Sequence, residues 1–324
     1  MPIKSIIKST GSYLPEKILT NQDLEKIVDT TNEWIEQRSG IKQRHIAADN
    51  ETTADLAVKA ARQALEASGL NPEDIDGVIV ATTTPDQTFP AVAVKVQAAL
   101  NIPVGIAFDV QAVCTGFVYA LATADNFITA GQAKRILVVG AEKMSSIIDW
   151  EDRTTCVLFA DGAGAVILEA QESADDVSAR GIHSTHLYAK GSQSDLLYTD
   201  GGPSSTGNAG HIVMQGREVF KYAVSYMADA VNQALKENDV SADQIDWLVP
   251  HQANIRIIEA TAKKLDMSMD KVVVTVDHHG NTSAASIPLA LHEAVTDGRV
   301  KQGDLILLEA MGGGLTWGSA LVRF

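Results

Sequence analysis

Cysteine is scarce: the chain has two, Cys114 and Cys156, in 324 residues. Two are too few for a disulfide framework, which points to a reducing compartment rather than a secreted, cross-linked scaffold. Long hydrophobic runs are missing as well, since no stretch approaches the roughly 20 apolar residues a bilayer span needs. At the N-terminus Lys4 and Lys8 interrupt Ile3, Ile6 and Ile7 before Gly11, an alternation suited to a strand and not to a secretory signal. A cytoplasmic protein without a membrane partner is expected. Basic residues are the minority, 26 against 41 acidic, giving a formal net charge of -15. That balance opposes binding to the phosphate backbone, so no nucleic-acid partner is expected. Metal-ligand sets are thin too: His183 and His186 are spaced as a pair, but no nearby cysteine or third histidine completes them. No metal is expected.

What is present suits an enzyme. Hydrophobic residues make up 45% of the chain, enough for a large core, and the length favours about two domains. The central stretch is Ile106 to Gly131. Ile106–Val110 reads as a short buried strand, and Thr115 to Ala130 carries Val118, Leu121, Ala122 and Phe127 at helical spacing, with Gly131 as the stop. Cys114 stands between them. At a helix start the unpaired N–H groups shift a thiol toward thiolate, the nucleophilic form; a small buried hydrophobe is the other reading of this cysteine.

Along the rest of the chain, Thr20 with Asp23 and Thr30 with Glu33 fit the capping-box pattern. A helix follows over about Thr53 to Ser68, ended by Gly69, and Val78 to Ala81 reads as a strand buried on both faces. Cys156–Phe159 and Ala165–Leu168 flank the turn Asp161–Gly164 and read as a hairpin. Composition turns polar near Asp175 and Asp176, which sets expected units of 1–174 and 175–324. Lys190 to Gly210 is a long polar loop, of a kind that is functional or mobile, and Gln215 to Lys236 is an amphipathic helix. Lys221, Arg256, Lys263 and Lys264 fall on helices and form either a solvated face or a basic patch.

The strand-helix order repeats at an offset of about 170 residues, far beyond solenoid periods. Ile75–Ile79 answers to Ile245–Val249, Ile106–Gly131 to Val272–Gly298, and Ile136–Ala141 to Leu305–Ala310. The chain is therefore expected to be a duplicated α/β domain whose equivalent strand ends share one cleft. Three turns then face one another, carrying Cys114, His251 and Asn281. Singly, His251 after Pro250 is equally a packed histidine, and Asn281 in a glycine turn is ordinary helix-start chemistry. Together they point to one site.

Cys114 with Thr115, Gly116 and Phe117, the run Val249 to Asn254, the run His279 to Ser286, and Gly312, Gly313, Gly314 with Leu315 to Gly318 resemble the β-ketoacyl-acyl-carrier-protein synthase III family, and the resemblance covers essentially the whole chain. It implies the thiolase-like α/β fold, duplicated βαβαβαββ halves in αβαβα layers, and a homodimer. It implies that Cys114 takes the acyl group from acyl-CoA, with the N–H groups of Cys114 and Gly313 holding the oxyanion. His251 and Asn281 then hold the enolate left when malonyl-acyl carrier protein loses CO₂. No cofactor is implied, acyl-CoA being a substrate. Trp34 and Arg153 would bracket the CoA adenine, Arg38 and Asn254 would lie along its channel with Phe220, and Phe89 would close the acyl pocket of a second copy. Lys221, Arg256, Lys263 and Lys264 would dock the acidic carrier. Met311 stands where the family more often has Phe, a change that bears on pocket shape and primer length, and Ser39 stands where it has Thr; acetyl-CoA is the first expectation. A thiolase would need a second cysteine near the C-terminal glycine run, a thioesterase leaves Asn281 without a role, and a non-catalytic acyl-CoA-binding relative would leave Cys114 merely packed.

Overall fold

The structure, a computed structural model, describes residues 2–174 and 176–324. Asp175, at the expected boundary, lies outside the described residues. The first sheet contains β1 (Ile3–Tyr13), β2 (Gly77–Ala81), β3 (Ile106–Val110), β4 (Arg135–Lys143) and β5 (Asp161–Glu172), in the order β1-β5-β4-β2-β3. The second contains β6 (Gly181–Ala189), β7 (Trp247–Pro250), β8 (Leu305–Gly312) and β9 (Thr316–Arg323), in the order β7-β8-β9-β6. Position for position, β6, β9, β8 and β7 repeat β1, β5, β4 and β2. The counterpart of β3 is reduced to a single bridge, Leu248 with Val272. β2 runs parallel to β3 and β4, and β7 parallel to β8, whereas β5 and β9 pair antiparallel with both their neighbours.

Two helices lie between the sheets, α2 (Gly116–Thr129) and α5 (Ser286–Thr296). Their apolar faces, Phe117, Leu121, Ile287 and Leu291 among them, share one core with Ile79, Ile136 and Val138 of the first sheet and Val249, Ile306 and Leu308 of the second. The period of two then sends Val78, Val80, Leu137 and Val139 to the opposite face, where α1 (Thr53–Ser68) covers them. Outside the second sheet, α3 (Gly216–Glu237) and α4 (Ile255–Lys264) play the same part over Leu305, Leu307 and Leu321. The layers are αβαβα, and both strand-turn-helix units place their turns at the inner seam.

Three local readings change. Asp161–Gly164 is not a hairpin turn but the start of β5, in which the glycines answer to packing: a Cβ at Gly164 would sit 2.6 Å from the Leu289 nitrogen of α5. The helix Asn32–Ser39 is capped by Thr31 and not Thr30, since Thr31 accepts from the Trp34 N–H. Strand β3 is half-buried throughout rather than buried, because it is the sheet edge. By contrast the helix Thr53–Ser68 and its Gly69 cap, and the Thr20–Asp23 capping box, stand as expected.

Candidate active site

Cys114 occupies a short 3₁₀ turn, Val113–Thr115, between β3 and α2. Val113 is left-handed, with φ of 50°, and turns the chain sharply enough to bring Cys114 under the end of β8. That approach is close: a Cβ at Gly312 would lie 2.6 Å from the Cys114 nitrogen, so only glycine fits there. Desolvation dominates the thiol, pushing it up to about 12, with the Glu142 carboxylate adding in the same direction and a Ser283 hydrogen bond opposing. The sequence-based expectation of a thiol already shifted toward thiolate is thus corrected. A helix start is a weaker influence than complete removal from water.

His251 follows β7, its N–H donating to the Glu309 carbonyl at 2.8 Å. Its ring Nδ1 lies 2.6 Å from Ser286 Oγ, which itself accepts from the Gln252 N–H at 3.3 Å. A hydroxyl that accepts there has its proton free for Nδ1, leaving Nε2 as the N–H of the imidazole. Burial holds the ring down at about 3, so it is neutral at physiological pH. Gln252, fully buried, fastens this turn: its amide donates to the Pro250 and Val273 carbonyls and accepts from the Thr275 and Val276 N–H groups.

Asn281 follows Gly280, whose φ of 68° turns the chain. Its backbone is clamped to the first half, donating to the Leu158 carbonyl at 3.0 Å and accepting from the Ala160 N–H at 2.9 Å. Its side-chain oxygen accepts from the Ser283 N–H at 2.9 Å, which leaves the NH₂ end as a free donor. Ser283 also donates to Glu142 at 3.1 Å, and that buried carboxylate gathers Thr82, Thr83 and Thr84 as well. Gln252, Glu142 and Ser283 were not singled out from the sequence; their partners lie up to 141 residues away, and no local pattern signals them.

The structure brings Cys114, His251 and Asn281 to one cavity of about 100 Å³, also lined by Phe220, Asn254 and Met311. Phe220 and Asn254 open in turn onto an outer groove of about 520 Å³, where Trp34 and Arg38 stand. Cys114 also lines a third cavity of about 360 Å³, with Gly313 and with Leu197 and Tyr198 of the long polar segment. Cys114 therefore lines both the inner cavity and this third one, here the end pocket. Arg153 stacks directly on Trp34, 5.4 Å from the ring centre, and donates to the Asp29 carbonyl, so a base entering between them must move its exposed guanidinium. Asn254 caps α4 and ties the groove together by donating to the Arg38 carbonyl at 2.8 Å. Ser39 caps its own helix end, accepting from the Ile41 N–H. Phe89 stands apart, 81% exposed; Lys221, Arg256, Lys263 and Lys264 are all exposed on α3 and α4, but of the four Arg256 lines the groove, whereas Lys263 lines a separate hollow with Glu259 and Asp266. His183 and His186 do not share a site: their rings meet Lys4 and Ser184 respectively.

A thiol, a neutral imidazole and a carboxamide facing one cavity at the seam of a duplicated αβαβα fold define a class, the thiolase-fold acyltransferases. Family models described as 3-oxoacyl-[acyl-carrier-protein] synthase III and its C-terminal part match residues 108–191 and 235–324. A β-ketoacyl-[acyl-carrier-protein] synthase III from Rhodospirillum centenum is 63% identical over all 324 residues, covering both chains entirely. One from Paramagnetospirillum magneticum is 62% identical over 323 residues, again covering both chains. The crystal structure of the Aquifex aeolicus synthase superposes with a TM-score of 0.93 at 51% identity, covering 99% of this chain and all of that one. The chain belongs to the β-ketoacyl-acyl-carrier-protein synthase III family.

Proposed function

We propose that this chain catalyses the decarboxylative Claisen condensation of an acyl-CoA primer, acetyl-CoA first, with malonyl-acyl carrier protein, the step that initiates fatty acid synthesis. The observation that carries this reading is the single cavity shared by Cys114, His251 and Asn281, which meets the outer groove at Phe220 and Asn254. Cys114 Sγ attacks the acyl-CoA thioester, and the N–H groups of Cys114 and Gly313 hold the tetrahedral oxyanion. The C–S bond to CoA breaks, and the thiol proton of Cys114 ends on the departing CoA sulfur. This half-reaction needs no net proton from water.

Malonyl-carrier then occupies the vacated route. Its C–C bond to the carboxylate breaks, CO₂ leaves, and the electron pair forms an enolate whose oxygen accepts from His251 Nε2–H and the Asn281 NH₂. Neutral donors suit this task, because they stabilise charge only as it develops; each is worth about 3–4 kcal/mol in the transition state. The enolate carbon attacks the acyl-Cys114 carbonyl, the C–S bond breaks, and the Cys114 thiolate takes up one proton. The product is a β-ketoacyl-carrier.

Lys221, Arg256, Lys263 and Lys264 dock the acidic carrier, Trp34, Arg38, Arg153, Asn254 and Phe220 hold CoA and pantetheine, and the two copies of the fold divide near residue 174. The protein works in the cytoplasm as a homodimer, with Phe89 reaching the end pocket of the second copy. The size of that pocket, about 360 Å³, favours a second reading in which longer or branched primers are also accepted. Radiolabelled acetyl-CoA should acylate the enzyme at Cys114 and leave Cys114→Ala unlabelled. His251→Ala should retain labelling while decarboxylation of malonyl-carrier falls by about 100- to 1000-fold. Non-covalent retention of label, or equal loss of both half-reactions, would refute the scheme. An acyl-CoA panel with single-turnover labelling fixes primer length.

A further inference from the structure

The turn that ends in Asn281 carries a second set of side chains on its outer side. The short helix Val276–His279 sets His278 and His279 edge to face, their ring centres 4.3 Å apart, and α5 brings Glu293 against them. Both rings aim the same atom at the same oxygen: His278 Nε2 lies 2.8 Å and His279 Nε2 3.2 Å from Glu293 Oε2. One ligand atom from each residue falls within 4.8 Å of the others, and among the described residues this is the one such group of His, Cys, Asp and Glu.

The surroundings orient two of the three by hydrogen bonds and hold the third by burial. Asp277 Oδ1 holds His278 by its other nitrogen at 2.7 Å, the carboxylate–imidazole pairing that fixes a metal-ligating histidine. Arg299 takes the opposite oxygen of Glu293, Oε1, at 3.1 Å, which leaves Oε2 turned toward the rings. His279 is nearly fully buried, and its Nδ1 has no hydrogen-bond partner. The ring is thus held by Nε2 alone, without a competing bond behind it. His278 is 40% exposed and gives an ion a way in from water.

We propose that His278, His279 and Glu293 bind one divalent transition-metal cation of the zinc class. Two imidazole nitrogens and one carboxylate oxygen suit zinc, cobalt or nickel and not magnesium or calcium, which prefer all-oxygen sets. The open side at His278 leaves the fourth position to water. The ion would tie the Val276–His279 turn to α5, and so link the segment leading to Asn281 with the helix whose Ser286 holds His251. The site is independent of the condensation scheme, and neither stands or falls with the other.

Full-length enzyme stripped with EDTA and desalted is titrated with Co²⁺, then Zn²⁺. One equivalent of Co²⁺ should give the visible ligand-field bands of a tetrahedral nitrogen–oxygen site, which Zn²⁺ abolishes and Mg²⁺ does not, and Zn²⁺ should raise the thermal midpoint. His278→Arg places a donor between Asp277 and Glu293 but offers no lone pair; it should fold normally and lose both the bands and the midpoint shift. Asp277→Asn should weaken binding by about 10–100-fold. Cys114→Ser should leave the spectrum intact. No stoichiometric binding to the wild type, bands that persist in His278→Arg, or bands that vanish with Cys114 would each overturn the assignment and leave an ion-pair cluster only.

Discussion

Glu309 has the least ordinary chemistry of any single residue. It lies on β8, fully buried, and neither carboxyl oxygen has a hydrogen-bond partner. Burial alone pushes the group up to about 8, so it is a neutral acid at physiological pH. The unfolded chain loses this proton near 4.5, the folded one near 8, so between those values the unfolded state binds fewer protons and stability falls as pH rises. Glu309→Gln removes that titration. Relative to wild type it should be neutral below pH 4.5 and increasingly stabilising as pH climbs, reaching on the order of 5 kcal/mol by the folded-state value. Urea unfolding across a pH series measures the difference, and a pH-independent offset would show that Glu309 does not titrate in this window.

At the scale of elements, α3 and α4 set positive charge where the groove opens. Lys264 already leans on Ser225 and Asp229 of α3, and Arg256 packs over the Phe220 ring at 5.9 Å, so the cations sit on a firm base. Arg256→Glu should raise KM for malonyl-carrier about tenfold or more and disturb acylation by acetyl-CoA less, since on the proposed docking it opposes an acidic carrier at the rim of a groove it also lines. Comparing the two half-reactions checks this; equal damage to both would place Arg256 on the CoA path instead.

The same elements mark what the sequence makes legible. The strand, turn and helix around Cys114 can be read because a period of two gives way to a helical period and Gly131 stops it, and the repeat of that order predicts which turns meet. The direction of the thiol's shift could not be read, because it depends on Glu142 and on how completely β8 and the facing turn exclude water. The glycines of Asp161–Gly164 look like a turn locally, yet they make room for α5, which arrives from more than a hundred residues away. Gln252 and Ser283 are equally silent, being ordinary polar residues until the fold supplies their partners.

For the whole molecule, the two sheets end differently. β3 leaves an edge whose five residues are all half-buried, with Val104 fully exposed just before it and Phe89 nearby in sequence on an exposed loop. An uncovered strand edge with apolar neighbours favours pairing with another copy. Sedimentation equilibrium should therefore return twice the mass of one chain, and Val104→Glu should shift the population toward monomer. A monomeric wild type would remove Phe89 from any role in the end pocket.

The clamp of Asn281 onto Leu158 and Ala160 also has a bearing on synthesis. Asn281 seats on a segment made more than a hundred residues earlier, so a ribosome that has released only the first half has made Cys114 but neither His251 nor Asn281, and on the proposed scheme that unfinished polypeptide leaves malonyl units intact.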